Sequence, residues 1–187
     1  ITTIVKLAVE TILKKNVLVV GAGIKTGLNI RIDNPAQLGS DLVVDSVAAI
    51  VEYPAPLLIF DLGTANTVCV IDKNKNYIGG MIYPGIGVSL DSLTAHASQL
   101  GGISIEAPEH MIGKNTTECM KSGLIYSSAA AMDGIIDRLQ EQLGGEATVI
   151  ATGGLAKKIV PHCRREIILD DDLLLKGLAI IYKKNRK

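Results

Sequence analysis

Tryptophan is absent from this chain and phenylalanine occurs once, so surfaces on which single-stranded nucleic acid could stack are not expected. The 19 basic and 19 acidic residues cancel, which leaves no net charge to attract nucleic acid or an acidic membrane. No apolar run approaches the ~20 residues that a transmembrane helix requires. We therefore expect no nucleic-acid partner and no membrane association.

Cysteine is also scarce, with only Cys69, Cys119 and Cys163 and no CxxC pair. An odd number of widely spaced cysteines argues against a disulfide framework or a zinc site, and it favours reduced thiols in a cytoplasmic protein. The chain opens at Ile1 inside a helical pattern of apolar residues rather than at a methionine. We therefore expect a fragment of a longer cytoplasmic protein.

Predicted helices and strands alternate along the chain, with one hairpin among them, which is typical of an α/β domain. The apolar patterns predict helices at residues 1–16, 36–51 and 89–100, and one long helix or two that abut at residues 120–143. A final helix is predicted after residues 170–172, whose carboxylates would cap it. They predict strands at residues 17–20, 57–60, 68–71, 77–82, 147–151 and 167–169. A Tyr-Pro-Ala-Pro stretch at residues 53–56 interrupts the pattern and predicts a hinge or domain boundary.

The most informative motif is LLIFDLGTANT at residues 57–67, where an apolar strand leads into a carboxylate and a Gly-Thr turn. Gly63 permits close backbone approach, and Thr64 and Thr67 offer hydroxyl and N–H groups to phosphate oxygens. Asp61 could hold a cation that offsets phosphate charge. The alternative is an ordinary hairpin turn with a solvated aspartate.

Two further motifs suggest ligand contacts. ATGGLA at residues 151–156 places Thr152, Gly153 and Gly154 at the end of a predicted strand, where a nucleotide could approach closely. A tight strand-to-helix turn would use the same residues. Asp41 follows Gly39 and Ser40 at a predicted helix start, where it could act as a general base or simply complement the helix dipole.

Taken together, these segments resemble type III pantothenate kinases over essentially the whole chain. The matching segments, in order, are GIKTGLNI, the helix entered at residues 39–41, DLGTANT, GGMIYPGI, IGKNT, ATGGLA and LLLKGLAIIY. Order and spacing both agree, and a series of matches is far more specific than any one motif.

The resemblance implies the actin-like (ribonuclease H-like) ATPase fold of two duplicated α/β domains, with the first domain incomplete here. Residues 1–55 would be the end of the first domain, and residues 56–166 would be the second. Residues 167–187 would form a last strand and helix at the domain junction. The family usually forms homodimers.

The implied activity is ATP-dependent phosphorylation of pantothenate to 4′-phosphopantothenate, the first step of coenzyme A biosynthesis. It would use Mg²⁺ and a monovalent cation, K⁺ or NH₄⁺. By resemblance, Asp41 falls on the general base and Asp61 on the metal-binding aspartate. Gly39 and Thr116 fall on substrate contacts. The nucleotide contacts would be Gly63, Thr64, Thr67, Thr152, Gly153 and Gly154.

The chain departs from the family pattern at three points. Leu42 stands where the family has an arginine, and an apolar side chain lacks that residue's fixed donors. Asp45 stands where the family has an asparagine, and its like charge one turn after Asp41 could raise the pKa values of both carboxyls. Nothing matches the family's opening D-x-G-N-T phosphate loop.

These departures leave alternatives open. The leading hypothesis is an active kinase of which this chain is a fragment. The alternative is a catalytically degenerate homologue that binds a ligand or serves as a regulator. A kinase of the same superfamily acting on another alcohol is a third hypothesis, and the GIKTGLNI and IGKNT segments argue against it.

Overall fold

A computed structural model describes residues 2–186 of the chain. Its helices are α1 (Thr2–Leu13), α2 (Ser40–Glu52), α3 (Ile86–His96), α4 (Thr116–Leu143), α5 (Ala156–Ile159) and α6 (Leu173–Asn185). Its strands are β1 (Asn29–Ile30), β2 (Leu57–Leu62), β3 (Ala65–Ile71), β4 (Asn76–Pro84), β5 (Thr148–Thr152) and β6 (Ile168–Leu169). Short 3₁₀ turns lie at Pro35–Gln37 and Val160–His162.

The six strands form one mixed sheet in the order β1-β4-β3-β2-β5-β6. Strand β3 runs antiparallel to both of its neighbours, whereas the pairs β1–β4, β2–β5 and β5–β6 are parallel. The chain between β2 and β4 therefore forms two hairpins, and the chain from β4 to β5 crosses over through α3 and α4. The prediction of an α/β domain is confirmed.

Strand β2 lies at the centre of the sheet and is buried on both faces, which explains its continuous apolar run. On one face Leu58 and Phe60 pack in a cluster with Ile125 and Met132 of α4. The long helix has its buried side chains on the side that covers the sheet, as its apolar spacing predicts.

On the opposite face, Leu57 and Ile59 pack against Ala48 and Ala49 of α2 and against Leu173 at the start of α6. Helix α2 is buried continuously over residues 43–50, because α6 covers the side that the sheet does not. The sheet is thus sandwiched between α4 and the α2–α6 pair.

The beginning of the chain differs from its prediction. Helix α1 forms as expected but has no buried residue, and Ile4 and Ile12 are 72% and 76% exposed. The strand predicted at residues 17–20 is wrong: this β-branched run pairs with no strand, and Val20 instead packs beside α2 and α6. The sheet edge is formed by the two-residue strand β1.

Several predictions concern features that the fold does not decide. Strand β1, from the first predicted domain segment, and β6, from the last, join one sheet with the strands of the middle segment. The division into residues 1–55, 56–166 and 167–187 therefore stays a prediction. The terminal residues Ile1 and Lys187 lie outside the described residues.

Within residues 2–186, no helix is long and apolar enough to cross a bilayer. Cys69 is buried in the sheet and Cys119 is exposed.

Gly177 lets helices α2 and α6 lie close together. A side-chain carbon at this position would overlap the carbonyl oxygen of Val44. We expect Gly177→Ala to destabilise the protein by about 1–3 kcal/mol, because the overlap outweighs the better helix propensity of alanine. Thermal or denaturant unfolding measures the change.

Gly123 offers a matched control, because it lies on the exposed side of α4 with no atom within 4 Å of an added methyl group. Gly123→Ala should stabilise the protein by about 0.5–1 kcal/mol through helix propensity alone. Equal effects of the two substitutions would show that the α2–α6 contact is not close.

A buried carboxylate fastens the start of α6 to the end of α2. Asp170 Oδ2 accepts hydrogen bonds from Tyr53 Oη and Lys176 Nζ, each at 2.7 Å, and Asp170 Oδ1 accepts from the Asp172 N–H at 3.2 Å. Burial alone would raise the pKa of Asp170, but the bonds from Lys176 and Tyr53 outweigh it and hold this pKa below its ordinary value.

A carboxyl group with a lowered folded-state pKa adds stability above its unfolded pKa of about 3.9, and that stability is lost as pH falls towards the folded-state pKa. Asp170→Asn should therefore lower stability at pH 7 by about 1–3 kcal/mol and flatten the acid limb of a stability–pH profile. Asp172→Asn is the control, since the exposed Asp172 side chain makes no capping bond. Equal stability–pH profiles for the two variants would contradict the stabilising role assigned to Asp170.

Candidate functional site

A cleft of about 400 Å³ opens where β2 and β5 end, between α2, the loop after β5 and the start of α6. This is the edge of a parallel strand pair at which open α/β sheets bind their ligands. The residues that line it are Asp41, Asp45, Asp61, Thr152, Gly153, Gly154, Asp171 and Leu174. Five of these eight were singled out from the sequence as candidate site residues.

The register of β2 and β5 brings two of the predicted motifs together. Asp61 and Thr152 are paired across the two parallel strands. The chain then turns at Gly153, which has a φ of +93°, a conformation that favours glycine. A side-chain carbon at Gly153 would lie 2.5 Å from Asp61 Oδ1 and 2.6 Å from the Leu62 nitrogen. The glycine therefore lets the β5 loop lie directly against β2.

Helix α2 contributes two carboxylates from successive turns. Asp41 is exposed in the first turn, and Asp45 follows it on the same side of the helix, with 3% of its surface exposed. Leu42, between them, points away from solvent and packs in the apolar cluster between α2 and the sheet. Its backbone N–H donates a hydrogen bond to Asp41 Oδ1 at 3.0 Å.

The electrostatics of the cleft are dominated by its carboxylates. Burial, followed by the charges of Asp61, Asp41 and Asp170, raises the pKa of Asp45 to about 7. Burial and the charge of Asp41 also raise the pKa of Asp61. For Asp45, the direction of the shift agrees with the predicted effect of the like charge of Asp41, although burial is the larger cause.

In the described part of the chain, no lysine or arginine is among the lining residues. A polyphosphate would be repelled by such a surface unless cations lay between them. Carboxylate and hydroxyl oxygens are the ligands that hard cations such as Mg²⁺ and K⁺ prefer, so the lining fits the cations that the resemblance implies. Across residues 2–186, no three potential ligand side chains gather closely enough to form a complete metal site.

The remaining residues of the DLGTANT motif lie beside the cleft and not in its lining. Gly63 and Thr64 form the tip of the β2–β3 hairpin, and the Thr64 carbonyl accepts a hydrogen bond from the Gly85 N–H at 3.0 Å. Thr67 is paired with Asp61 across the hairpin, and its Oγ1 is buried with no hydrogen-bond partner within residues 2–186.

The two predicted substrate residues are not in the cleft. Gly39 caps α2 and lines a separate cavity of about 490 Å³, bounded mainly by the segment 32–39 that precedes α2 and by β4. Thr116 is exposed in the first turn of α4, which covers the other face of the sheet. Gly39 nevertheless lies directly against Asp41, because a side-chain carbon at Gly39 would overlap Asp41 Oδ1. Within the described chain, the structure does not place Thr116 beside Asp41.

The sequence reasoning assigned Asp171 only to helix capping, although it lines the cleft. It follows β6 and forms an ion pair with Lys157 of α5, with 2.5 Å between Lys157 Nζ and Asp171 Oδ2. The sequence does carry one indication that Asp171 lies at the cleft. The Asp170–Asp172 run follows a predicted strand, and the carboxyl ends of parallel strands meet at one edge of a sheet.

Comparisons with known proteins identify the family. The family model for type III pantothenate kinase matches residues 1–138, almost three quarters of the chain. This chain belongs to the type III pantothenate kinase family. The match includes the start of α2, the DLGTANT hairpin and most of α4.

Individual relatives agree with the family model. A type III pantothenate kinase of Exiguobacterium sp. is 46% identical over 170 residues, which cover 91% of this chain and 66% of that protein. One of Bacillus cytotoxicus is 46% identical over 176 residues, covering 94% of this chain and 67% of that protein. The chain thus spans about two thirds of the length of these family members.

Solved structures agree on the fold. A Baf family protein of Campylobacter jejuni aligns with a TM-score of 0.54 at 22% identity, over 83% of this chain and 68% of that one. The ethanolamine utilization protein EutJ of Carboxydothermus hydrogenoformans aligns with a TM-score of 0.52 at 16% identity, over 96% and 72%. With the mixed sheet flanked by helices, these likenesses confirm the actin-like ATPase fold.

The two glycines of the β5 loop provide a test of the cleft. Gly153→Ala should displace Asp61 and strain a positive-φ position, so we expect a loss of about 1–3 kcal/mol in unfolding free energy and weaker ADP binding. Gly154→Ala is the neighbouring control for stability, because no protein atom lies within 4 Å of an added methyl group. Thermal unfolding and calorimetry with ADP measure the two effects, and an equal loss of unfolding free energy in both variants would contradict this geometry.

Proposed function

We propose that the protein containing this chain phosphorylates pantothenate to 4′-phosphopantothenate at the expense of ATP, the first step of coenzyme A biosynthesis. The observation that carries the proposal is the cleft itself, in which Asp41, Asp61 and the Thr152–Gly154 turn line one cavity. Membership of the type III pantothenate kinase family supplies the substrate, and the relatives' greater length makes the activity one of the whole protein.

In this proposal, the turn after β5 receives the adenosine of ATP. Gly153 and Gly154 present backbone without side chains, which allows a nucleotide to approach closely, and the Thr152 side chain is nearly buried beside them. Gly63, Thr64 and Thr67 would bind phosphate oxygens from the neighbouring hairpin. The unpartnered Thr67 hydroxyl supports this role, because a buried hydroxyl without a partner is unfavourable until a ligand binds.

Asp61 would hold a cation at the inner end of the cleft. When bound, Mg²⁺ and a monovalent cation, K⁺ or NH₄⁺, neutralise the phosphate charges that build up during transfer. The excess of carboxylates and the lack of basic side chains in the described lining support a need for cations. Asp61 is held in place from one side by its pairing with Thr152 and from the other by its pairing with Thr67.

Asp41 would act as the general base that accepts the proton of the primary hydroxyl of pantothenate. Its exposure in the first turn of α2 leaves its second oxygen open to a substrate, while Oδ1 is oriented by the Leu42 N–H. Transfer then depends on positioning the hydroxyl in line with the γ-phosphate and on charge neutralisation. Gly39 and Thr116 are proposed as substrate contacts by resemblance alone.

A homodimer and a cytoplasmic location stay predictions of the family resemblance. The separation of Thr116 from the cleft within one chain agrees with a site to which two subunits contribute, which is why we keep the homodimer in the proposal. No observation favours the catalytically degenerate alternative.

Replacing Asp41 tests the proposal directly. Asp41→Asn should lower the rate of phosphopantothenate formation by about 10²–10⁴-fold, since it removes the proton acceptor, and should leave nucleotide binding largely unchanged. The longest natural protein containing these residues is assayed with ATP, Mg²⁺ and K⁺, with mass spectrometry of the product and calorimetry with ADP.

The matched control is Asp91→Asn, which removes one charge from the exposed side of α3. It should retain full activity. Absence of product from the folded parent protein would overturn the proposed function. Loss of ADP binding in Asp41→Asn would show that Asp41 is structural.

A further inference from the structure

Asp45 is the most deeply buried carboxylate of the cleft. Only 3% of its surface is exposed, and its Oδ1 has no hydrogen-bond partner among residues 2–186. It nevertheless lines the cavity, one helical turn beyond Asp41. A buried carboxylate oxygen without a partner, on a residue that lines a cavity, is unfavourable unless a proton or a ligand satisfies it.

The surroundings of Asp45 do not satisfy its charge. The charges that act on it are those of Asp61, Asp41 and Asp170, all negative. Among the ion pairs within residues 2–186, none joins Asp45 to a basic group. A buried carboxylate in such a place either keeps a proton or binds a cation, because burying it ionised and alone is strongly unfavourable.

We propose that Asp45 and Asp61 together ligate one divalent cation in the cleft. Mg²⁺ in nucleotide sites is commonly bound through one or two carboxylates, and its other positions are filled by water and phosphate oxygens. Two carboxylates from α2 and β2 meet that requirement, and it does not need the three-ligand cluster that the described residues lack. The inference deepens the proposed function and rests on it for the phosphate oxygens.

In this proposal, the charge of Asp45 decides which class of cation the site prefers. The amide of an asparagine at this position would offer one neutral oxygen, whereas aspartate offers a charged one. A second anionic ligand favours a divalent over a monovalent cation, since the attraction grows with the product of the charges. With aspartate rather than asparagine at position 45, the cleft of this chain would therefore prefer a divalent to a monovalent cation.

The test measures cation binding without ATP or pantothenate, so it does not depend on catalysis. Mn²⁺ is the probe, titrated into the natural full-length protein while free Mn²⁺ is followed by electron paramagnetic resonance. Thermal unfolding in Mg²⁺ gives a second readout. We expect the parent protein to bind Mn²⁺ and to unfold at a higher temperature in Mg²⁺.

Asp45→Asn keeps the shape of the side chain and removes its charge. It should weaken Mn²⁺ binding about tenfold or more and remove the shift of the unfolding temperature in Mg²⁺. Asp61→Asn, at a less buried position, should do the same and guards against misfolding of the first variant. Asp91→Asn, on the exposed side of α3 and outside the cleft lining, should bind Mn²⁺ as the parent does.

Two results would overturn the proposal. One is a parent protein that binds no Mn²⁺, and the other is an Asp45→Asn variant that binds Mn²⁺ as tightly as the parent does. The second result would identify Asp45 as a neutral buried acid that substitutes for an amide. Failure to form phosphopantothenate while Mn²⁺ binding persists would overturn the proposed function and leave this inference intact.

Discussion

The parallel pairing of β2 with β5 is the constraint on which the cleft depends. It joins two segments that are about ninety residues apart in the sequence and sets Asp61 beside Thr152. Both strands are almost fully buried, so their register is fixed by the packing of side chains on two faces. The turn at Gly153 then follows β2 closely because no side chain separates them.

Helix α2 supplies the other wall, and its position is set from below by the sheet and from the side by α6. The apolar residues that fix α2 and the carboxylates that line the cleft lie on the same helix. Asp45 lies where these two parts meet. Its burial follows from the packing of α2, and its raised pKa follows mainly from that burial.

Much of this arrangement could be predicted from the sequence. The apolar run before Asp61 predicted the strand that lies at the centre of the sheet, and the sequence patterns predicted the hairpin and the helical stretch of α4. The actin-like fold came from the resemblance and is confirmed. The strand predicted at residues 17–20 is wrong because local β propensity does not reveal whether a partner strand is available, which depends on distant residues.

The candidate site was predictable only in part. Asp41, Asp61 and the Thr152–Gly154 turn converge as strand-end and helix-start motifs should, because the topology brings such ends together. The IGKNT motif, which ends at Thr116, matched the family pattern equally well. Thr116 nevertheless lies on the other face of the sheet, because the chain crosses over through α4. Asp171 was missed because its capping position explained it locally.

The close contact between α2 and α6 also has a consequence for biosynthesis. Helix α2 leaves the ribosome long before the helix that covers its outer side, so its apolar surface stays uncovered while most of the sheet is made. Burial of that surface is a late, long-range event, and such events slow folding. During translation, the nascent chain therefore presents the kind of surface that chaperones bind.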